Sequence, residues 1–234
     1  MYQLSSKVRY SEADSNEKLT YAALLNYFQD SSTLHSETLG ASGQSLYENK
    51  MAWILSFWQI RIEDMPTLSE DIVVSTWPYD TKGLFGMRNF CMETAEGKRL
   101  ACANSIWVLI NTDTGRPMKI PAEVSALYPD EPKLEMDYCE RKIAIPTEFE
   151  EKAPIRVAKY FIDTNRHMNN GKYVMVAEEF LPADFAVKEI RVEYKKAAVL
   201  NDMLCPRVTI TENEVTVVLT DADGSLYATV LFMK

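Results

Sequence analysis

Residues 160–180, YFIDTNRHMNNGKYVMVAEEF, place Asp163, Asn165, His167 and Asn169 at every second position. In extended chain, alternate side chains share a face, so Asp163, Asn165 and His167 would converge on one pocket. An imidazole that titrates near neutrality can take a proton from water or orient it, and an amide and a carboxylate can hold the partners in place. This set suits attack of water on a carbonyl carbon. Asn169 and Asn170 are helix-capping types, and Gly171 permits close backbone approach. An apolar run follows (Tyr173, Val174, Val176, Ala177, Phe180, Leu181), with Glu178 and Glu179 near its end. The predicted unit is strand, polar turn and helix N-terminus, whose unpaired N–H groups could receive a developing oxyanion. The same residues also read as a polar loop capping a helix, with His167 on the surface. The chain has only two histidines, so its presence here favours the chemical reading.

The elements that would position this loop occur twice. Residues 14–20, DSNEKLT, align with residues 163–169, DTNRHMN, at an offset of 149. Each follows a strand-like run (KVRYSEA; RVAKYFI) and precedes an apolar helical stretch. In the first half that stretch is TYAALLNYFQDSSTLHSETLG, with Ala22, Leu25, Phe28, Gln29 and Ser32 at helical spacing and Gly40 as a stop. Next, IRIEDMPTLSEDIVVSTW (60–77) resembles VEYKKAAVLNDMLCPRV (192–208), with Asp71 opposite Asp202 and a strand opening after each Asp. A hairpin closes each half, turning at Glu96-Gly97 and Asp223-Gly224. The pattern predicts an α+β chain in which each half is a helix followed by an antiparallel sheet. Residues 1–121 form the first unit, 153–234 the second, and 122–152, with three prolines and many charges, the linker. The first copy keeps Asp14 and Asn16 but has Lys18 where the second has His167. One working site and one retired site would account for that asymmetry, leaving the first half free to shape an apolar pocket. Trp53, Phe57, Trp58 and Phe85 are candidate lining, although such aromatics are more often ordinary core.

The stretch DTNRHMNNGKYV (163–174) resembles the catalytic loop of acyl-ACP thioesterases. Their D-x-N-x-H followed by N-N-x-K-Y is matched by Asp163, Asn165, His167, Asn169, Asn170, Lys172 and Tyr173. A second stretch, GKRLACANSIWVLINTDTGRPMKIP (97–121), is similar to that family's W-V-x-x-N strand end followed by a D-T-x-R turn. The resemblance implies two tandem hotdog folds, each a long helix wrapped by a curved antiparallel β-sheet. It also implies hydrolysis of fatty acyl-ACP to free fatty acid, with acyl carrier protein as partner and no cofactor. On this reading His167 is the base or water-orienting group, Asn165 orients water or substrate, and Asp163 fixes the imidazole or holds the loop. Asn169, Asn170 and Gly171 contact substrate, the last two through their N–H groups, and Trp53 and Phe57 line the acyl pocket. The chain departs from the family where a glutamate follows a Y-R-R type segment, because Tyr194-Lys195-Lys196 is followed by Ala197 and Ala198. Glu179, and after it Glu178, are the substitutes considered. An acyl-CoA thioesterase and a non-catalytic lipid-binding double hotdog are the competing readings.

Composition narrows the class. The chain has 234 residues, 47% of them hydrophobic and 25% charged, which suits one large or two small globular domains. A net charge of −9 argues against nucleic acid as partner. The charge is uneven: residues 1–140 carry 12 Lys+Arg against 20 Asp+Glu, whereas 141–207 carry 12 against 10. The block holding the polar loop is therefore the one able to attract an acidic partner. Four scattered cysteines without a C-x-x-C pair, and no apparent signal peptide, predict reduced thiols and a cytoplasmic setting. Two distant histidines make a metal site unexpected, and no stretch reaches the length of a membrane span. Oligomeric state is left open, a homodimer being one arrangement compatible with the sequence.

Overall fold

The computed structural model describes residues 1–234, and the chain divides into two compact units, residues 1–56 with 62–138 and residues 57–61 with 139–234. The elements in chain order are β1 (Tyr2–Lys7), α1 (Tyr21–Thr38), α2 (Gly43–Glu48), β2 (Met51–Ile62), β3 (Asp71–Lys82), β4 (Phe85–Thr94), β5 (Arg99–Asn111), β6 (Arg116–Pro117) and α3 (Ala122–Ala126). They continue with β7 (Glu150–Glu151), β8 (Ile155–Arg156), α4 (Asn170–Glu178), β9 (Glu189–Tyr194), β10 (Met203–Ile210), β11 (Glu214–Thr220) and β12 (Leu226–Met233). No helix is long and apolar enough to cross a membrane.

In the first unit β1, β3, β4 and β5 pair antiparallel in that order. Thr20 caps α1 by accepting the Ala23 N–H, and Gly40 ends it at φ +71°, as expected from the sequence. The helix buries Ala22, Leu24, Leu25, Tyr27 and Phe28, with the Phe28 ring 5.2 Å from that of Phe90 on β4. Its last buried residue is polar. The Arg88 guanidinium donates from Nη1 to His35 Nδ1 (2.9 Å) and to Thr76 Oγ1 (3.1 Å), so the neutral imidazole carries its proton on Nε2. A second cluster of Ala41, Leu46, Leu109, Ile120, Val124 and Tyr128 takes in α2, α3 and Trp53. The Trp53 indole lies where a Cβ on residue 86 would stand 3.1 Å away, which is why that strand position is glycine.

In the second unit residues Phe57–Arg61 of β2 pair with β9, and β12, β11 and β10 follow in order. Phe57, Trp58 and Ile60 are fully buried. The helix α4 has 9 residues against 18 in α1, so the expected long helix is halved in the second copy. It ends at Glu178 because Pro182, four residues on, has no N–H for the Glu178 carbonyl and its ring would clash with it.

The repeat holds at the level of individual hydrogen bonds, with one correction to its register. Val8 donates its N–H to Glu70 O (3.0 Å) and accepts from Ser69 N (2.9 Å). Val157 does the same with Asp202 O (2.8 Å) and Asn201 N (3.0 Å). The Glu70 carboxylate accepts from Thr67 N, and that of Asp202 from Val199 N. Glu70, not Asp71, is therefore the partner of Asp202, because the carboxylate that closes the turn defines the match. Both hairpin turns place glycine at φ +85°, Gly97 and Gly224, and Glu96 and Asp223 stay at negative φ. Each is a three-residue loop with one left-handed glycine, not the two-residue turn expected.

The expected linker is shared between the units. Its first part, with α3, belongs to the first unit and its remainder, from Cys139, to the second. From residue 132 the chain runs as a strap whose backbone polar groups are met by buried side chains. Asn89 Oδ1 on β4 accepts from Leu134 N (3.0 Å) and Tyr138 OH (3.1 Å), and Trp77 Nε1 donates to Pro132 O (2.9 Å). Further on, Gln59 Oε1 accepts from Cys139 N (3.0 Å) and Glu193 Oε2 from Ile143 N (3.1 Å).

Candidate active site

Asp163, Asn165 and His167 are not in extended chain. A single 3₁₀ turn, Lys159–Phe161, precedes them, and residues 163–168 form a tight loop closed by a bridge between Ile162 and Met168. The strand-like run expected before the loop ends at Val157, where pairing to the 199–202 loop uses up its backbone groups. Arg166 takes φ +63°, which reverses the chain and abolishes the alternation. The frame of the loop is the Asp163 side chain: its Oδ1 accepts from Asn165 N (2.8 Å) and His167 N (3.2 Å). Its own N–H donates to His167 O (2.8 Å). Asp163 therefore holds the loop, and the His167 imidazole and Asn165 amide project from it into solvent.

Two further bonds anchor the loop. Met168 is buried and donates its N–H to Ala198 O (2.8 Å), and Asn169 donates its own to Phe161 O (2.8 Å). Asn169 then caps α4, its Oδ1 accepting from Gly171 N (2.9 Å). This cap uses the Gly171 N–H that the sequence offered as an oxyanion donor, and Lys172 N is bonded to Asn169 O (2.9 Å). Asn170 accepts at its carbonyl from the Tyr194 hydroxyl (2.9 Å), which ties the start of the helix to β9. Burial pushes the Tyr194 hydroxyl well above its ordinary pKa, so it serves as a neutral donor. The Tyr173 hydroxyl accepts from Ala198 N (2.8 Å); its pKa is pushed up to about 12, mainly by burial.

Of residues 197 and 198, where the resemblance leads one to look for a carboxylate, Ala197 is exposed, whereas Ala198 is fully buried and bonded through both N–H and C=O. Glu179 is the other candidate carboxylate. It is exposed at the C-cap of α4, nine residues beyond Asn170, or roughly 13 Å along the helix axis at 1.5 Å per residue. The geometry thus gathers Asp163, Asn165, His167 and the helix start, and leaves Glu179 at the opposite end. Of the candidate pocket aromatics, Phe57 is fully buried in the second unit and Trp53 is half-buried in the first. No cluster of His, Cys, Asp and Glu is placed to hold a metal ion.

The first copy repeats the bonds within the loop. Asp14 Oδ1 accepts from Asn16 N (2.8 Å) and Lys18 N (2.9 Å), Asp14 N donates to Lys18 O (2.7 Å), and Glu17 has φ +61°. Leu19 N donates to Pro66 O (2.9 Å) as Met168 N does to Ala198 O. Lys18, however, turns its ammonium back onto Met65 O (2.8 Å). The aspartate shared by the copies is explained by loop geometry alone, and the difference lies in the side chain presented at the fifth position. Of the two roles the sequence offered Asp163, its hydrogen bonds match that of holding the loop. The signal that could have shown its role was the positive-φ residue directly after each shared asparagine, Glu17 after Asn16 and Arg166 after Asn165, and nothing in the side-chain types marked it.

The acyl-ACP thioesterase N-terminal domain matches residues 1–128, and the acyl-ACP thioesterase C-terminal domain matches residues 145–223. The chain belongs to the acyl-ACP thioesterase family. Among similar proteins, the chloroplastic palmitoyl-acyl carrier protein thioesterase of Arabidopsis thaliana is 24% identical over 234 residues, covering 90% of this chain and 55% of the plant protein. The oleoyl-acyl carrier protein thioesterase 2 of the same plant is 25% identical, covering 93% and 65%. The chain spans about half the length of the curated relatives it matches. An acyl-ACP thioesterase from Bacteroides thetaiotaomicron superposes with a TM-score of 0.89 at 22% identity, covering 99% of this chain and 96% of the other. The 12:0-ACP thioesterase of Umbellularia californica gives 0.86 at 20%, covering 99% and 96%. The fold is the tandem hotdog.

Proposed function

We propose that this family member hydrolyses the thioester of fatty acyl-acyl carrier protein and releases free fatty acid. The observation that carries the reading is the duplicated loop: two frames alike in backbone and bonding, of which only the second presents an imidazole, next to a helix start. His167 takes the proton of the attacking water or holds that water against the thioester carbonyl. Asn165 orients water or the carbonyl oxygen through its amide, and Asp163 keeps both side chains in place through their N–H groups. A main-chain N–H at the start of α4 is the donor to the oxyanion. A thiolate is a good leaving group, so a single nitrogen base suffices and no second carboxylate is needed at residue 197 or at Glu179. Trp53 and Phe85, both half-buried, are the candidate aromatics that keep open surface for an apolar group.

The test is turnover of matched acyl-ACP and acyl-CoA substrates by the wild-type protein and His167→Ala. Loss of a positioned base costs about 10²–10⁴-fold in kcat, and an exposed side chain should leave the melting temperature unchanged. Near-wild-type hydrolysis by the variant would remove His167 from the chemistry. Preference for acyl-CoA over acyl-ACP would replace the proposed carrier.

A further inference from the structure

The two loop regions share their backbone but differ in the charge of the side chains they present. Glu17 in the first copy corresponds to Arg166 in the second, Tyr10 to Lys159, and Glu63 and Asp64 to Lys195 and Lys196. Pairing sharpens the contrast. In the first copy Lys7 is neutralised by Asp71 (2.8 Å), and Arg9 by Glu12. At the matching positions the second copy has Arg156 and Met203, which are register partners, and the guanidinium bonds only the neutral Asn201 Oδ1 (2.9 Å). Lys159 and Arg166 likewise have no acidic partner. Lys195 and Lys196 are tied to Glu193 and Asp221 and contribute less. Neither nearby carboxylate forms an ion pair with these cations: Asp163 is turned onto its own loop and Asp202 onto Val199 N and Tyr227 OH.

Between these cations lie apolar side chains that a lone domain has no reason to show. Tyr160 is 73% exposed, and Leu200 and Met203 stand out from the 199–203 turn. That turn is bonded to the candidate catalytic loop through Ala198 O and Met168 N. On a chain of net charge −9, a cationic rim with apolar contacts next to His167 is a local exception.

We infer that Arg156, Lys159, Tyr160, Arg166, Leu200 and Met203 form the docking face for an acidic carrier protein whose thioester arm reaches His167. The inference rests on the reading of the chain as a carrier-protein thioesterase. Unpaired cations steer the acidic partner and the apolar residues give it a dry contact. The acidic first copy repels the same partner, so the carrier is directed to the loop that holds the imidazole.

The test transplants the first copy's neutralising residue. Met203→Asp sets a carboxylate beside Arg156, as Asp71 stands beside Lys7, and Arg156→Glu/Lys159→Glu reverses the rim. Each is assayed with acyl-ACP and with the small neutral thioester of N-acetylcysteamine. The expected result is a KM for acyl-ACP raised about tenfold or more, as one lost charge contact implies, with turnover of the small thioester unchanged. Direct binding of holo-acyl carrier protein, read by fluorescence anisotropy, is measured alongside and stands even if the chain hydrolyses neither substrate. Weakened binding in both variants then supports the face independently of catalysis. Unchanged KM and binding overturn the assignment, as does an equal loss on both thioesters, which would place these residues in the loop's chemistry. Binding of the wild type to phosphatidylglycerol vesicles in place of carrier protein overturns it as well.

Discussion

Asp163 and His35 show how far side-chain type alone can mislead. The D-x-N-x-H spacing suggested three groups facing one pocket, but Asp163 spends its carboxylate on two N–H groups of its own loop, as Asp14 does. If that is all it does, Asp163→Asn, which keeps an acceptor oxygen, retains activity within a few-fold. Asp163→Ala and Asp14→Ala should each lower stability by about 1–2 kcal/mol, and only the former should cost activity; denaturant titration and turnover together check this. His167 stood out in the sequence because its type and its absence from the first copy agree. His35 did not, since a histidine in an apolar helix gives no hint that a buried arginine will meet it. Desolvation first and Arg88 second hold its pKa down to about 4, against about 6.5 in the unfolded chain. Above pH 6.5 both states are neutral there; below it the unfolded chain gains a proton that the native state refuses. Stability should therefore be complete above about 6.5 and fall towards pH 4 by on the order of 3 kcal/mol from this residue. Subtracting the profile of His35→Gln isolates the effect, and identical profiles would contradict it.

At the scale of elements, α1, the strand opening after residue 202, and both hairpin glycines could be read from periodicity and turn chemistry, and the opening placed after Asp71 was one residue late. The strap could not, because its order comes from residues far away in sequence: Asn89, Gln59 and Glu193 satisfy N–H groups of residues 134, 139 and 143. Prolines and charges look the same in a loose linker and in a chain pinned to a sheet. Asn89 is the element's main clamp, bonded to Leu134 N, Tyr138 OH and Ala103 O and fully buried. Asn89→Ala should cost about 2–4 kcal/mol, since it leaves buried polar groups unmet. Limited proteolysis should then cut between residues 129 and 145 faster than in the wild type.

At the scale of the whole molecule, the two-part division was legible from the repeat, but its boundary was not. Strand β2 lies in the first half of the sequence, yet its residues 57–61 count with the second unit and pair with β9. A fragment of residues 139–234 lacks that segment, so Ile190 and Val192 lose their cross-strand partners Ile60 and Trp58. Expressed alone it should be insoluble or lack a cooperative thermal transition, whereas a fold equal to that of the intact chain would show the segment to be dispensable. The same feature has a temporal side. On the ribosome the segment Phe57–Arg61 is made more than 120 residues before its partner Glu189–Glu193. At about 5–20 residues per second this is a wait of several to some 25 seconds. During that interval Phe57, Trp58 and Ile60, which end up fully buried, face water along an unpaired β-edge. Such a strand invites pairing with its copy on a neighbouring nascent chain, and Gln59 and Arg61, spaced between the apolar residues, are the polar interruptions that discourage it. The yield of folded protein should thus depend on how fast the second half is synthesised, a dependence that no contact in the finished molecule displays.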